Sequence, residues 1–174
     1  SDFSHEEKNK ISIENFNYKS EKNLDKKNSL NFLNHALALG GFSLEISKNY
    51  KLKKSLVIYN NFSNSLKETI VNYKNSITLN ENSELNLINY IDNSSKENFM
   101  VNAIENIKMK KDSYLNNILI NNSKCNGYFY RYVKCDLEKN SNLENYLISS
   151  GLKFNKLDIE INLNEENSQS SVFS

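Results

Sequence analysis

Residues 79–91 read LNENSELNLINYI, and residues 137–149 read LEKNSNLENYLIS. Both stretches hold an apolar residue, a short polar turn built around Asn-Ser, and a strand-like run that begins near a Leu and carries a Tyr. The serine of this phrase occurs four times in the chain: Ser83, Ser113, Ser141 and Ser168. The intervals are 30, 28 and 27 residues. A nearly fixed period of this size is typical of a solenoid, whose repeats bury their apolar faces against neighbouring repeats.

Apolar residues hold fixed places around each copy of the phrase. Leu79, Met109 and Leu137 precede the turn, as Leu163 does in the last copy, and another leucine follows each of the first three serines by two residues. Each period holds two strands and two turns. The sequence therefore predicts an all-β fold, a flattened parallel β-helix with two strands per coil of about 28 residues, whose equivalent strands lie about 4.8 Å apart. We expect one interior column of Leu85, Leu115 and Leu143.

The alternative is an antiparallel meander, with Asn126-Gly127 as a tight hairpin turn. Roughly one residue in five is Asn, a bias that suits an AT-rich genome, so a single Asn-Gly is a weak turn signal here. An antiparallel meander also does not require the same turn sequence after every second strand. The repeat therefore favours the β-helix.

The N-terminal part of the chain has a different pattern. Residues 1–29 form a polar leader with one short apolar alternation, at Ile11, Ile13 and Phe16. Ser29 stands where a helix N-cap would, and apolar residues at helical spacing follow until Gly40-Gly41. We predict a capping helix over residues 30–41 and the β-helix over 42–174, where the apolar period changes from 3.6 to 2.

Length and composition exclude several classes of protein. With 174 residues the chain fits a single domain, and its 22 Lys+Arg against 21 Asp+Glu leave a net charge of +1, which disfavours a nucleic-acid partner. The mean hydropathy of −0.67 and the lack of a long apolar run argue against a membrane span. The chain does not open with the charged-then-apolar segment that directs secretion, and its two cysteines are expected to be reduced thiols. We therefore expect a cytoplasmic protein.

Motifs for nucleotide, metal or nucleophilic chemistry are missing from the sequence. It holds no GxxxxGK[ST], HExxH or CxxC pattern, and its four glycines do not build a dinucleotide loop. His35 falls in the predicted helix, where a packing or surface role is expected, and His5 lies in the polar leader. The sequence thus predicts no catalytic, cofactor-binding or metal-binding residue, and no enzyme.

Eight further residues are candidates for chemistry or binding. Cys135 alternates in phase with the apolar residues around it and is expected inside, whereas Cys125 beside Asn-Gly is expected to be more exposed. Arg131 interrupts an apolar face, either as a buried ion-pair partner or at a coil end. Tyr128, Tyr130 and Tyr132 form a stripe that lines a sugar-binding surface or packs against a neighbour. Asp158 and Glu160 are expected to be solvated carboxylates on an outer face.

Residues 31–59, NFLNHALALGGFSLEISKNYKLKKSLVIY, resemble the N-terminal segment of the SufB/SufD family of iron–sulfur cluster assembly proteins. Three features match the family: a short helix with Leu33-Asn34 and Ala36, a turn with Gly41, and a strand pair with Tyr59. Ser55, however, stands where the family has Pro. Residues 76–91 and 151–169 are similar to later strand pairs of the family, but Lys156 replaces an Arg and several glycines are lost. The resemblance is greater to SufD than to SufB.

This resemblance implies a right-handed parallel β-helix, the handedness expected of parallel connections. It implies a scaffold that pairs with a SufB-like protein and docks the SufC ATPase, in a complex that handles Fe–S clusters while this segment binds no cofactor itself. Motifs that the family carries beyond the counterpart of Ser174 are missing, so we expect a truncated β-helix whose open end self-associates or is poorly ordered. The alternatives are a carbohydrate-binding or lyase-type β-helix, motivated by the tyrosine stripe, and a homo-oligomeric structural solenoid.

Overall fold

A computed structural model of the chain describes residues 3–16, 28–62, 66–93 and 95–174. Its helices and strands, in chain order, are α1 (His5–Lys8), β1 (Ile11–Asn15), α2 (Ser29–Leu37), β2 (Phe42–Ile46), β3 (Leu56–Phe62), β4 (Thr69–Leu79), β5 (Glu84–Asn93), β6 (Phe99–Met109), β7 (Tyr114–Leu137), β8 (Asn142–Leu163) and β9 (Gln169–Phe173). The short strand expected in the leader is β1.

The strands wind into a β-solenoid of about four turns. In one sheet, which we call sheet A, β2, β4, β6 and the second halves of β7 and β8 stack in that order. In the other, sheet B, the order is β3, β5, the first halves of β7 and β8, and β9. All these pairs are parallel; among the described residues, the one antiparallel pair is β1 with β2. The β-helix is confirmed and the meander is wrong.

The predicted interior column is present. Leu85 is paired with Leu115, and Leu115 with Leu143, across three successive coils. All three side chains are 0% exposed. Burial of a leucine side chain stabilises a fold by about 1.5–3 kcal/mol, so stacked columns of this kind are the main source of stability in the solenoid.

The repeated phrase forms one corner of every coil. Its turn residue has a positive φ in each of the four copies, at Asn82, Asp112, Asn140 and Asn167, and so has Asn49 at the equivalent place one coil earlier, where Tyr50 stands in place of the serine. Asn and Asp tolerate this left-handed conformation better than most residues, which explains the residue type at this place. The serine that follows donates its hydroxyl to the carbonyl three residues earlier, as from Ser113 to Lys110 at 2.6 Å. The corner is therefore specified locally in each copy.

Side chains of the turn residues also bond from coil to coil. Asn167 Nδ2 donates to Asn140 Oδ1 at 3.2 Å, and Asn140 Nδ2 donates to Asp112 Oδ1 at 2.8 Å. Asn82 Nδ2 continues the series to Asn49 Oδ1 at 3.0 Å. The carboxylate of Asp112 has no N–H to donate, so the series is interrupted between Asp112 and Asn82.

Asp112→Asn is expected to complete this series and to raise the free energy of unfolding by about 0.5–1 kcal/mol, the usual net value of one hydrogen bond. The exposed contact of Asp112 with Lys111, 3.7 Å long, is worth little by comparison. Denaturant titration would measure the change. Asn140→Asp is the matched control, because it removes a donor and places two carboxylates side by side, and should be destabilising. Equal or lower stability of D112N would contradict the expectation.

The second corner differs from the predicted second turn. β7 and β8 each run through it without interruption, and the register between them shifts between Asn122 and Cys125 and again between Cys125 and Tyr128. Such irregularities bend a strand without ending it. Asn126-Gly127 consequently lies inside β7, where it bends the chain between the two sheets and makes no hairpin.

The capping helix is shorter than predicted and begins one residue earlier. Asn28, not Ser29, is the N-cap, since its side chain accepts hydrogen bonds from the amides of Leu30 and Asn31. The helix ends at Leu37, with Ala38 as the C-cap. Its buried residues are Asn31 and Asn34, whereas Leu37 is 53% exposed. The sequence pattern located the helix correctly but not the face that it buries.

Candidate functional site

The interior of the solenoid is divided into two apolar clusters. The larger cluster lies toward the serine corner and includes Leu85, Ile107 and Leu137. The smaller one lies toward the second corner and includes Phe99, Val101 and Phe129. Polar side chains that are at least nine-tenths buried occupy the interior positions of the strands between them: Asn75, Asn89, Glu105, Asn117, Arg131 and Asn145. We call this set the internal polar layer.

Arg131 and Glu105 are the charged pair of the internal polar layer. Arg131 lies on β7 and Glu105 on β6, one coil below, and their side chains are 10% and 3% exposed. Arg131 Nη1 lies 4.0 Å from Glu105 Oε2. Arg131 Nη2 donates to the hydroxyl of Tyr73, on β4, at 3.3 Å. Three successive coils of sheet A thus contribute one member each to a single buried group.

This arrangement keeps Arg131 charged. Burial by itself lowers the pKa of the guanidinium, but the neighbouring Tyr73 and Glu105 oxygens offset that effect and leave the pKa raised. Neither carboxylate oxygen of Glu105 has a hydrogen-bond donor among the described residues. The positive charge of Arg131 is therefore the main interaction that compensates the buried negative charge of Glu105. The interpretation of Arg131 as a buried ion-pair partner is confirmed.

Asparagines continue the internal polar layer on sheet B. Asn89 Nδ2 donates to Asn117 Oδ1 at 3.2 Å, and Asn117 Nδ2 donates to Asn145 Oδ1 at 3.1 Å. A cavity of about 30 Å³ adjoins Arg131 and Tyr73 and extends to Asn121. Most of the other lining residues are apolar, among them Ile91, Val101 and Phe129, so the cavity is a packing gap beside the charged pair.

Cys135 lies inside the larger apolar cluster, as predicted, and is 0% exposed. Burial raises the pKa of its thiol well above the usual range, and the negative charges of Glu105 and Asp136 raise it further. Because the thiolate is the nucleophilic form and the side chain is buried, we expect Cys135 to be unreactive in the folded protein. Cys125 is half-buried at the second corner. The two thiols are both free.

Iodoacetamide at pH 8 is expected to modify Cys125 in the native protein at least tenfold faster than Cys135. The raised pKa leaves Cys135 a smaller thiolate fraction than it has in the unfolded chain, and the surrounding core excludes the reagent. Mass spectrometry of C125S and C135S would assign each site, and urea should make the two rates similar. Fast modification of Cys135 in the native C125S variant would contradict its burial.

Helix α2 attaches to the outer face of sheet A through polar side chains. Asn34 Nδ2 donates to the carbonyl oxygens of Tyr73 at 3.0 Å and Asn102 at 2.6 Å. Asn102 Nδ2 donates in return to the carbonyl of Leu30 at 2.9 Å. His35, in the same helix, lies 3.2 Å from the buried ammonium of Lys74, in the packing role that the sequence predicted. His5 is exposed in α1.

The tyrosine stripe is not one continuous surface. Tyr130 is only 1% exposed, and its hydroxyl accepts a hydrogen bond from Asn28 at 2.7 Å and donates to Asp158 at 3.0 Å. Tyr132 donates to Glu160 at 2.6 Å. Only Tyr128 keeps an exposed ring, at 36%. The stripe therefore anchors the helix cap and two carboxylates, and it lacks the open aromatic platform that a sugar would need.

Sequence reasoning singled out Arg131 but missed its partners. Glu105 stands in phase with the interior residues Ala103 and Ile107, and Tyr73 is in phase with Ile77 and Leu79. A charged residue at an interior position of one coil is a signal that a complementary residue lies in the next coil. That signal was available in FMVNAIENIKM (99–109) once the repeat register was known.

Within the part of the chain that the structure describes, no group of three or more His, Cys, Asp or Glu side chains is placed to hold a metal ion. No helix in that part is long and apolar enough to cross a membrane.

Comparison with known families gives one match. Residues 61–174 match the family model described as SUF system FeS cluster assembly, SufBD core domain. The matched region runs from the end of β3 to the last residue, and so contains β4 to β9 with the internal polar layer. No curated protein matches the chain.

Proposed function

Because the chain belongs to the SufBD core domain family of the SUF system for FeS cluster assembly, we propose that it is a SufD-like, non-catalytic scaffold subunit. It pairs with a SufB-like protein and docks a SufC-like ATPase, in the cytoplasm. The Fe–S cluster is the cargo of that complex, and this segment supplies no ligand to it.

The main support for the proposal is that the residues matched by the family model are the residues that form the stacked coils. The match begins at residue 61 and covers every turn from β4 onward. The resemblance of residues 31–59 to SufD supports the finer assignment. The interior chemistry agrees with a scaffold, since the buried cysteine is held as a thiol and the buried arginine is compensated by Glu105.

Affinity purification of the full-length protein from its native cells would test the proposal. We expect SufB-like and SufC-like proteins to co-purify with it in stoichiometric amounts. A Gly40→Ala variant should retain both, since an added methyl group there meets no atom within 4 Å.

Three outcomes would contradict the proposal at different levels. Capture of a SufD-like partner in place of a SufB-like one would reverse the SufD assignment but leave the family role intact. Reproducible absence of both partners would overturn the scaffold role. A stable self-assembly without any Suf partner would favour a homo-oligomeric solenoid.

A further inference from the structure

The two sheets end differently at the N-terminal end of the solenoid. Sheet A is extended by β1, which pairs with all five residues of β2, from Ile11 opposite Ile46 to Asn15 opposite Phe42. Sheet B begins at β3, which is paired with β5 on one side only among the described residues. Within that part of the chain, the other edge of β3 leaves backbone N–H and C=O groups without strand partners, over seven residues or about 23 Å.

An apolar groove lies beside this open edge. Its volume is about 580 Å³, within the range of ligand-binding clefts. Its lining residues are Leu56, Val57 and Ile58 of β3, Phe3, Ile13 and Leu52, and the polar residues Glu7, Lys54 and Ser55. Leu56 and Ile58 face the core, whereas Val57 lies on the opposite face of the strand. Val57 and Ile13 are 40% and 47% exposed, so the groove presents apolar surface to solvent.

We propose that this groove binds an extended peptide segment of a partner protein, which adds to β3 as a further strand of sheet B. The unpaired edge decides the chemistry of the occupant. Its backbone groups need a second extended backbone for their hydrogen bonds, which a small apolar molecule does not offer. The segment places apolar side chains at alternate positions, so that one set enters the groove and the other faces solvent.

The chain itself supplies the template for such an occupant. β1 reads ISIEN, with Ile11 buried to 6% exposure against the core and Ser12 and Glu14 at the alternate positions. It extends sheet A at the same end of the solenoid at which β3 is open. A five-residue segment of this pattern is therefore sufficient to cover a strand end in this fold.

The same feature disfavours one way of covering β3 with a second copy of the chain. β1 leaves a step of one strand between the two sheets at this end. If two copies stacked with sheet A against sheet A, β1 would meet its counterpart, and the two β3 edges would stay unpaired at about two strand spacings, roughly 10 Å. A single added strand fits beside β1 without displacing it. This inference is independent of the proposed role in cluster assembly.

Peptide display against the full chain tests the proposal. The probe is a library of random ten-residue peptides, whose enriched members are synthesised with a fluorescent label and titrated by anisotropy. We expect enriched peptides with apolar residues at every second position and micromolar dissociation constants. Ile13→Glu should weaken binding at least tenfold, because it places a charge among the side chains that line the groove, at a site that is already 47% exposed and tolerates it.

Two controls make the result specific to the open strand edge. Ile70→Glu alters an equally exposed apolar residue of β4 outside the groove, 51% exposed, and should leave binding unchanged. Proline at the centre of an enriched peptide should abolish binding, because it removes a backbone donor.

Four results would overturn the proposal. They are no enrichment over scrambled peptides, equal binding to wild type and I13E, enrichment of peptides with helical spacing of apolar residues, and a wild-type dimer that I13E converts to monomer in sedimentation. The last result would identify a second copy as the occupant of the groove.

Discussion

Gly41→Ala is expected to lower the free energy of unfolding by about 3 kcal/mol or more, the combined scale of overpacking and of a left-handed backbone that L side chains resist. Gly41 has a φ of +133°, and a Cβ built on it would lie 1.7 Å from the carbonyl oxygen of Lys74. That oxygen belongs to the backbone of β4, so the clash is relieved only by separating β2 from β4. Thermal or denaturant unfolding of the purified variant would measure the loss.

The neighbouring glycine provides the matched control. Gly40 has no atom within 4 Å of an added Cβ. Gly40→Ala should therefore change the stability by less than about 1 kcal/mol, within the range of ordinary surface substitutions. Similar stability of the G40A and G41A proteins would contradict the close approach of Gly41 to β4.

The loss of stability expected for a substitution at Gly41 has a structural reason. Its carbonyl accepts a hydrogen bond from the amide of Phe16 at 3.1 Å, just after β1, while its Cα faces the backbone of β4. The residue thus joins the N-terminal cap, β2 and the first full coil. A side chain at this point disturbs all three at once.

Arg131→Met is expected to destabilise the protein by about 3–5 kcal/mol, the usual loss when one partner of a buried ion pair is removed. The substitution keeps most of the side-chain volume but leaves Glu105, 3% exposed, without its cation. It also removes the donor to the Tyr73 hydroxyl. Denaturant titration at neutral pH would give the difference.

A double variant separates charge from packing. Glu105→Leu combined with Arg131→Met removes both charges, and it should recover most of the stability lost in R131M, because an apolar pair of similar volume avoids the desolvation of two ions. Lys156→Met is the control for an exposed pair, since Lys156 and Asp158 lie 3.1 Å apart with side chains 52% and 33% exposed, and should cost at most about 1 kcal/mol. A loss below 1 kcal/mol in R131M would mean that the pair is not buried as described.

The internal polar layer gives the solenoid a fixed register. A shift of one leucine column relative to its neighbour changes the free energy of the fold little, because hydrophobic contacts are not directional. An arginine that must meet Glu105 one coil below and Tyr73 two coils below allows one alignment. We infer that the layer trades some stability for a unique stack, in the way that buried polar residues specify register in other repetitive folds.

The sequence by itself determined the repeat and its consequences. Period, corner and interior column depend on local properties, namely a turn residue that accepts positive φ, a serine that bonds three residues back, and side chains that alternate along each strand. These properties are the same in every coil, so the sequence places Leu85, Leu115 and Leu143 correctly. The resemblance to the family rests mainly on residues 31–59, outside the repeat.

Only the tertiary structure decided which polar residues meet and which face of α2 is buried. The repeat brings β7 over β6, but it places Arg131 opposite Ala103 and Glu105 opposite Val133, so only the packed interior decides that the guanidinium turns toward the diagonal neighbour. Asn31 and Asn34 are buried in place of the leucines of α2 because the outer face of sheet A offers the Tyr73 and Asn102 carbonyls. Helical periodicity reports where apolar residues lie, but the surface that receives the helix selects its buried face, and that surface exists only once the coils have stacked.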